Sequence, residues 1–98
     1  MNPLIHRLQD AIRALHGCES THLHPVQVDE KVANGVLWHG EVQVFRLAGH
    51  DRARYAYAWE GPNEDGETEP TVVLRIPPVE TPAQAVSWAL GWARGARC

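Results

Sequence analysis

With 98 residues, 44% of them hydrophobic and 21% charged, the chain has the size and balance of one soluble globular domain, 1–98, with a modest core. A formal net charge of -3 with histidine neutral supplies no basic field to hold a polyanion, so a nucleic-acid partner is not expected. Two cysteines, Cys18 and Cys98, are too few for a disulfide framework, and the opening MNPLIHRLQD has no uninterrupted apolar run. A reduced, cytoplasmic setting with no signal peptide or membrane span is the expectation.

The chain opens on an amphipathic helix over residues 3–16. Asn2 is placed to cap it and Pro3 takes the first helical position, where a missing N–H costs nothing. Leu4, Ile5, Leu8, Ala11, Ile12 and Leu15 recur at helical spacing as one apolar stripe, and Gly17 is a natural stop. Residues 18–25 read as a polar connection. Val26 and Val28 alternate with Gln27 and Asp29, predicting a strand over 25–32. Asn34-Gly35 is a strong two-residue hairpin signal, because both central positions of that turn need positive φ.

A second strand is predicted over 36–47. Val36, Trp38, Val42 and Val44 share one face, with Gly40 between them as a mark of close approach by a neighbour. At Phe45 and Leu47 the apolar phase changes, so a bulge or bend is expected near Arg46. After the Gly49-His50-Asp51 turn, a third strand over 53–60 carries Tyr55, Tyr57 and Trp59 on one face. Ala56 and Ala58 form the other, a flat surface suited to a closely packed helix. GPNEDGETEP reads as a solvated acidic loop, and Val72, Leu74 and Ile76 mark a fourth strand over 71–76 that ends at Pro77-Pro78. A last helix is predicted over 82–95, capped by Thr81, with Pro82 at its start and Gln84 as the capping-box partner. The fold class is therefore α+β: a four-stranded antiparallel meander between two helices, both expected on one face of the sheet. The predicted core includes Leu8, Ile12, Leu15, Val42, Val44, Val72, Leu74 and Ala89.

Candidate sites follow from residue chemistry. His16, Cys18, His22 and His24 gather three imidazoles and a thiol, the ligand types of a zinc site. If extended, His22 and His24 point the same way, although the spacing matches no standard finger and a polar turn commonly holds unpaired histidine. The rings of Tyr55, Tyr57 and Trp59, flanked by Arg52, Arg54 and Arg75, have the make-up of a stacking platform for single-stranded nucleic acid or a small planar ligand. Rings on one strand face more often belong to a core or a subunit interface. No catalytic residues are assigned. His39 and Glu41 share a face as an acid–base pair would, but on an antiparallel sheet cross-strand pairing is the simpler use. Ser20 and Ser87 have no nucleophile context.

The order helix, strands, helix resembles the topology of double-stranded-RNA-binding domains, with one strand more than that family has. The family binds through lysines at the start of its last helix. Thr81 to Ala85 here carry no basic residue, so the resemblance carries no RNA-binding activity across. The run VLWHGEVQVFRLAGH followed by YAW is similar to small bacterial proteins of uncharacterised function, which implies no activity and no site. What remains is a non-catalytic protein, without a required cofactor, that binds protein and first of all itself. Trp38, Tyr55, Tyr57, Trp59, Trp88 and Trp92 are many rings for one small core, and a homodimer would cover them.

Overall fold

The computed structural model describes residues 2–31, 37–62, 65–77 and 79–92. Helix α1 spans Pro3–His16. Strands β1 (Glu19–Lys31), β2 (Leu37–Ala48), β3 (Tyr55–Pro62) and β4 (Thr68–Leu74) follow, and then helix α2 (Pro82–Val86) and a π-helical segment, Ser87–Trp92. The four strands form one open antiparallel sheet in the order β1-β2-β3-β4, each hydrogen-bonded to the next. The predicted class, α+β with an antiparallel meander between two helices, is the observed one. Among the described residues no helix is long and apolar enough to cross a membrane. The Asn34-Gly35 turn, the flanking Val32 and Val36, Pro78, Cys98 and the helix end beyond Trp92 lie outside the described residues.

Local chemistry sets the helix ends as read. Asn2 Oδ1 accepts the Leu4 N–H at 3.0 Å. Gly17 takes the left-handed conformation, φ 67°, and donates its N–H to the Arg13 carbonyl, closing α1 as such glycines do. At α2, Thr81 Oγ1 accepts the Gln84 N–H at 3.1 Å. Gln84 Oε1 returns the bond to the Glu80 N–H at 2.7 Å, one residue before the cap. Beyond Val86 the backbone widens into the π segment rather than continuing as an α-helix.

The two helices lie on opposite faces of the sheet, which corrects the expectation of both on one face. Leu8 and Ile12 of α1 pack with Phe45, Leu47, Ala53, Ala56 and Ala58, with Val72 and Leu74 at the margin. Ala85 and Val86 of α2 pack with Val28, Val42, Val44, Tyr57 and Trp59. Along β2 and β3, successive residues alternate between these two cores. The apolar change at Phe45 is therefore no slip of phase. Val42 and Val44 serve one core, Phe45 and Leu47 the other, and β2 runs straight through without a bulge near Arg46. The bulge lies on β1 instead, where the register shifts between His22, paired with Phe45, and His24, paired with Val44.

Three other differences have simple causes. Strand β1 begins at Glu19 because its backbone pairs with β2 as far as Ala48; a ladder needs no apolar side chains. Strands β3 and β4 likewise extend into the acidic stretch, pairing Glu60 with Pro70 and Pro62 with Thr68, with Gly66 at φ 81° in the turn. Leu15 shares the angular stripe of α1 but is 62% exposed, because it sits in the last turn, past the side chains that cover Leu8 and Ile12. Gly40 is the seat of a ring: a Cβ there would come within 3.0 Å of Trp38 Cη2, and Trp38 in turn meets Trp59 edge-on at 5.8 Å between centroids.

Two forked ion pairs pin α1 down. Arg7 reaches Glu60 of β3 at 2.6 and 2.9 Å, and Arg13 reaches Glu19 of β1 at 2.7 Å through both nitrogens. The hydrogen bonds from Arg7 and Arg13 hold the Glu60 and Glu19 carboxyls below their ordinary pKa, against a smaller opposing effect of desolvation. A carboxyl whose folded pKa is depressed stabilises the fold above its unfolded pKa and loses that contribution as pH falls towards the folded value. The urea midpoint should therefore drop as pH falls below the ordinary carboxylate value of about 4.5, and Glu60→Gln should be less stable near pH 6 and show a flatter acid dependence. The alanine face gives a second test. Ala56 is fully buried under α1, so Ala56→Leu should destabilise by about 1–3 kcal/mol in urea titration through overpacking; an unchanged midpoint would mean that α1 is not seated there.

Candidate functional site

The ring face proposed from sequence is a core. Tyr57 is 4% exposed and Trp59 3%, both beneath α2 and Val79. The Tyr57 hydroxyl donates to the Glu80 carbonyl at 3.1 Å, anchoring the segment that leads into α2. Burial of the phenol raises its pKa, partly offset by the charge of Arg75. These two rings are not open to stack on a base or a planar ligand, because the α2 layer already covers them. Tyr55 is half-buried at the rim, and the Arg75 guanidinium lies over its ring at 5.6 Å. Arg54 is exposed, and its carbonyl accepts the Leu47 N–H as β2 gives way to the turn. Trp88 is 39% exposed. The side chain of Trp92 lies outside the described residues.

The four candidate zinc ligands do not converge. Cys18 is buried in the first core. His16 sits at the end of α1, its ring 6.0 Å from that of His50 and nearly perpendicular to it. Burial, and secondarily the neighbouring His50, lower the His16 pKa. His22 leans on Phe45 at 5.4 Å between ring centroids, while His24 pairs with Val44 on the opposite face. The bulge at Leu23 inserts one residue, and one residue is what turns a strand side chain from one face to the other. The pairing of His22 with His24 expected for a regular strand is thereby undone. Among the described residues no group of three or more histidine, cysteine or acidic side chains is arranged to hold a metal ion.

On the α1 face a polar chain runs along the β1–β2 hairpin. Gln43 Nε2 donates to Glu41 Oε1 at 2.7 Å. The amide oxygen is then left to accept, and it meets His22 Nε2 at 2.7 Å, so that nitrogen carries a hydrogen. Gln43 is 3% exposed, a buried amide with both ends partnered, as burial demands. Further out, His39 Nδ1 pairs across the hairpin with the Asp29 carboxylate. His39 and Glu41 share the face as expected, and each is engaged by another residue rather than by its fellow. Ser20 Oγ is buried and has no hydrogen-bond partner among the described residues.

Sequence reasoning passed over Gln43. The available signal was a polar residue on the same strand face as Phe45, midway along a strand otherwise rich in valine. Nor did it assign the side chain of His50, whose Nδ1 accepts two backbone N–H bonds. No protein-family model, no curated protein and no solved structure matches the chain.

Burial of the rings makes a direct test. Trp59→Ala should lose about 3–5 kcal/mol of stability, the range for removing a buried indole. Tyr57→Phe should lose about 1 kcal/mol, the net value of one hydrogen bond. Urea unfolding followed by circular dichroism reads both; losses near zero for Trp59→Ala would mean that the ring face stands open.

Proposed function

We propose that the protein is a small non-catalytic binding module whose first partner is a second copy of itself, as a cytoplasmic homodimer. Support comes from the C-terminal helical segment. Its inner side, Ala85 and Val86, is used up in covering Tyr57 and Trp59, yet Trp88 on the following turn keeps 39% of its surface exposed. A segment that is apolar on the side turned away from its own sheet favours burial against another surface. Two copies related by a two-fold axis would cover both tryptophans in one contact, and an indole gives wide contact area with few rotatable bonds while keeping an N–H for the rim.

The outer edges of the sheet are poor alternatives for association. Strand β1 carries Pro25, a bulge and charged side chains, and β4 carries Pro70 next to Glu69; all are features that discourage strand addition. Stacking of nucleic acid or a planar ligand loses two of its three rings to the core, and zinc loses the pairing of His22 with His24.

Sedimentation equilibrium over a wide concentration range tests the reading. A dimer burying at least ~1,000 Å² is expected, weakened by on the order of 2 kcal/mol in Trp88→Ala if that ring is a central anchor. A monomer at tens of micromolar would overturn self-association, and a dimer unaffected by Trp88→Ala would move the contact elsewhere.

A further inference from the structure

His50, in the β2–β3 turn, holds a position that only one of its protonation states can fill. Its Nδ1 accepts the Arg52 N–H at 3.1 Å and the Ala53 N–H at 3.0 Å. A ring nitrogen that accepts hydrogen bonds carries no hydrogen, so the imidazole in this arrangement is neutral with its proton on Nε2. The side chain closes the turn from within, in the place an Asp or Asn oxygen usually takes. The turn ends on Ala53, which is buried in the first core with Cys18.

The ring of His50 also meets His16, the last residue of α1, edge to face. A helix C-terminus by itself favours a cation, yet His16 is held towards its neutral form by burial first and His50 second. The charged neighbours in sequence give no counterweight. Arg13 in the last turn of α1 is engaged by Glu19 and Asp10, and Asp51, Arg52 and Arg54 of the turn are exposed. His50 is the charged or chargeable group that acts on His16.

We propose that this contact is an acid-operated clasp: protonation of His50 at Nδ1 opens the 49–54 turn and frees it from the C-terminal end of α1. The added proton turns the acceptor into a donor facing two N–H donors, so both bonds are lost at once. It also sets a positive ring against His16. The sign at His16 agrees, because a histidine whose folded pKa is depressed stabilises the fold above its unfolded pKa, ~6.5, and loses that contribution as pH falls. Opening would give water access to Ala53 and to the end of the core that holds Cys18.

The test is amide hydrogen exchange on the full chain at pH 7.5 and pH 5.0, expressed as protection factors so that the intrinsic pH dependence cancels. Protection at Arg52 and Ala53 should fall on the order of tenfold or more at pH 5.0, as for local opening of a surface segment, while the β3–β4 ladder holds. His50→Asn places a side-chain oxygen near the site of Nδ1 that does not titrate in this range, and it should keep both amides protected at both pH values. Unchanged wild-type protection, or a fall in His50→Asn equal to that of the wild type, would overturn the clasp. Nitrogen-15 shifts of the His50 ring at pH 7.5 give a reading that needs no variant: a neutral ring protonated on Nε2 is expected, and one protonated on Nδ1 would overturn the proposal.

Discussion

The structure hangs on the alternation of β3, where Ala56 and Ala58 face one way and Tyr57 and Trp59 the other. Two methyl groups in a row leave a flat floor, so α1 can settle with Leu8 and Ile12 fully buried against it. The same strand, one residue out of phase, raises two large rings from the opposite face. Those rings need a roof, since leaving them in water forgoes ~25 cal/mol for each Å² of apolar area. The chain supplies one by returning after β4 through Val79 into α2. A short sheet is thereby buried on both sides, and each core is small. The cap on α2 and the hydrogen bond from Tyr57 to the Glu80 carbonyl matter because they hold the entry to a helix of five α-helical residues.

Burial on both faces also governs where polar chemistry can sit. Towards the hairpin end of β1 and β2, the α1 face carries Gln43, Glu41 and His22 in a hydrogen-bonded chain, and then the His39–Asp29 pair. These side chains satisfy one another, which makes the strip a structural solution to a sheet face that outruns its helix. The β1 bulge belongs to the same arrangement. It lets β1 offer His22 to the first face and His24 to the second, so each joins a different surface. Among the described residues, large apolar side chains are exposed at Leu15, Leu23, Leu37 and Trp88; the ring of Trp88, on a segment whose inner side is already in use, directs the functional reading to the C-terminal segment.

Sequence reading succeeded where the determinant is local. Asn2, Pro3 and Gly17 mark α1 because capping depends on the residues within one turn, and Thr81, Pro82 and Gln84 mark α2 for the same reason. It misjudged positions whose fate depends on distant chain. Leu15 is on the same stripe of its helix as Leu8 and Ile12, yet in the last turn it is left 62% exposed. Phe45 looked out of phase only on the assumption that one face is wet. The pairing of His22 with His24 required an unbroken strand, and no residue type near Leu23 announces that a bulge falls there.

Element order, both ends of α1, the start of α2, the antiparallel meander and the division of β3 into a methyl face and a ring face are properties of this sequence alone, since capping and two-residue periodicity act over a few neighbouring positions. Whether the ring face is a binding platform or a core was decided by the tertiary structure, through the return of α2 across it. The separation of the histidines into unrelated surroundings was decided there too, because a strand's partner sets its register, and register sets which face every side chain takes.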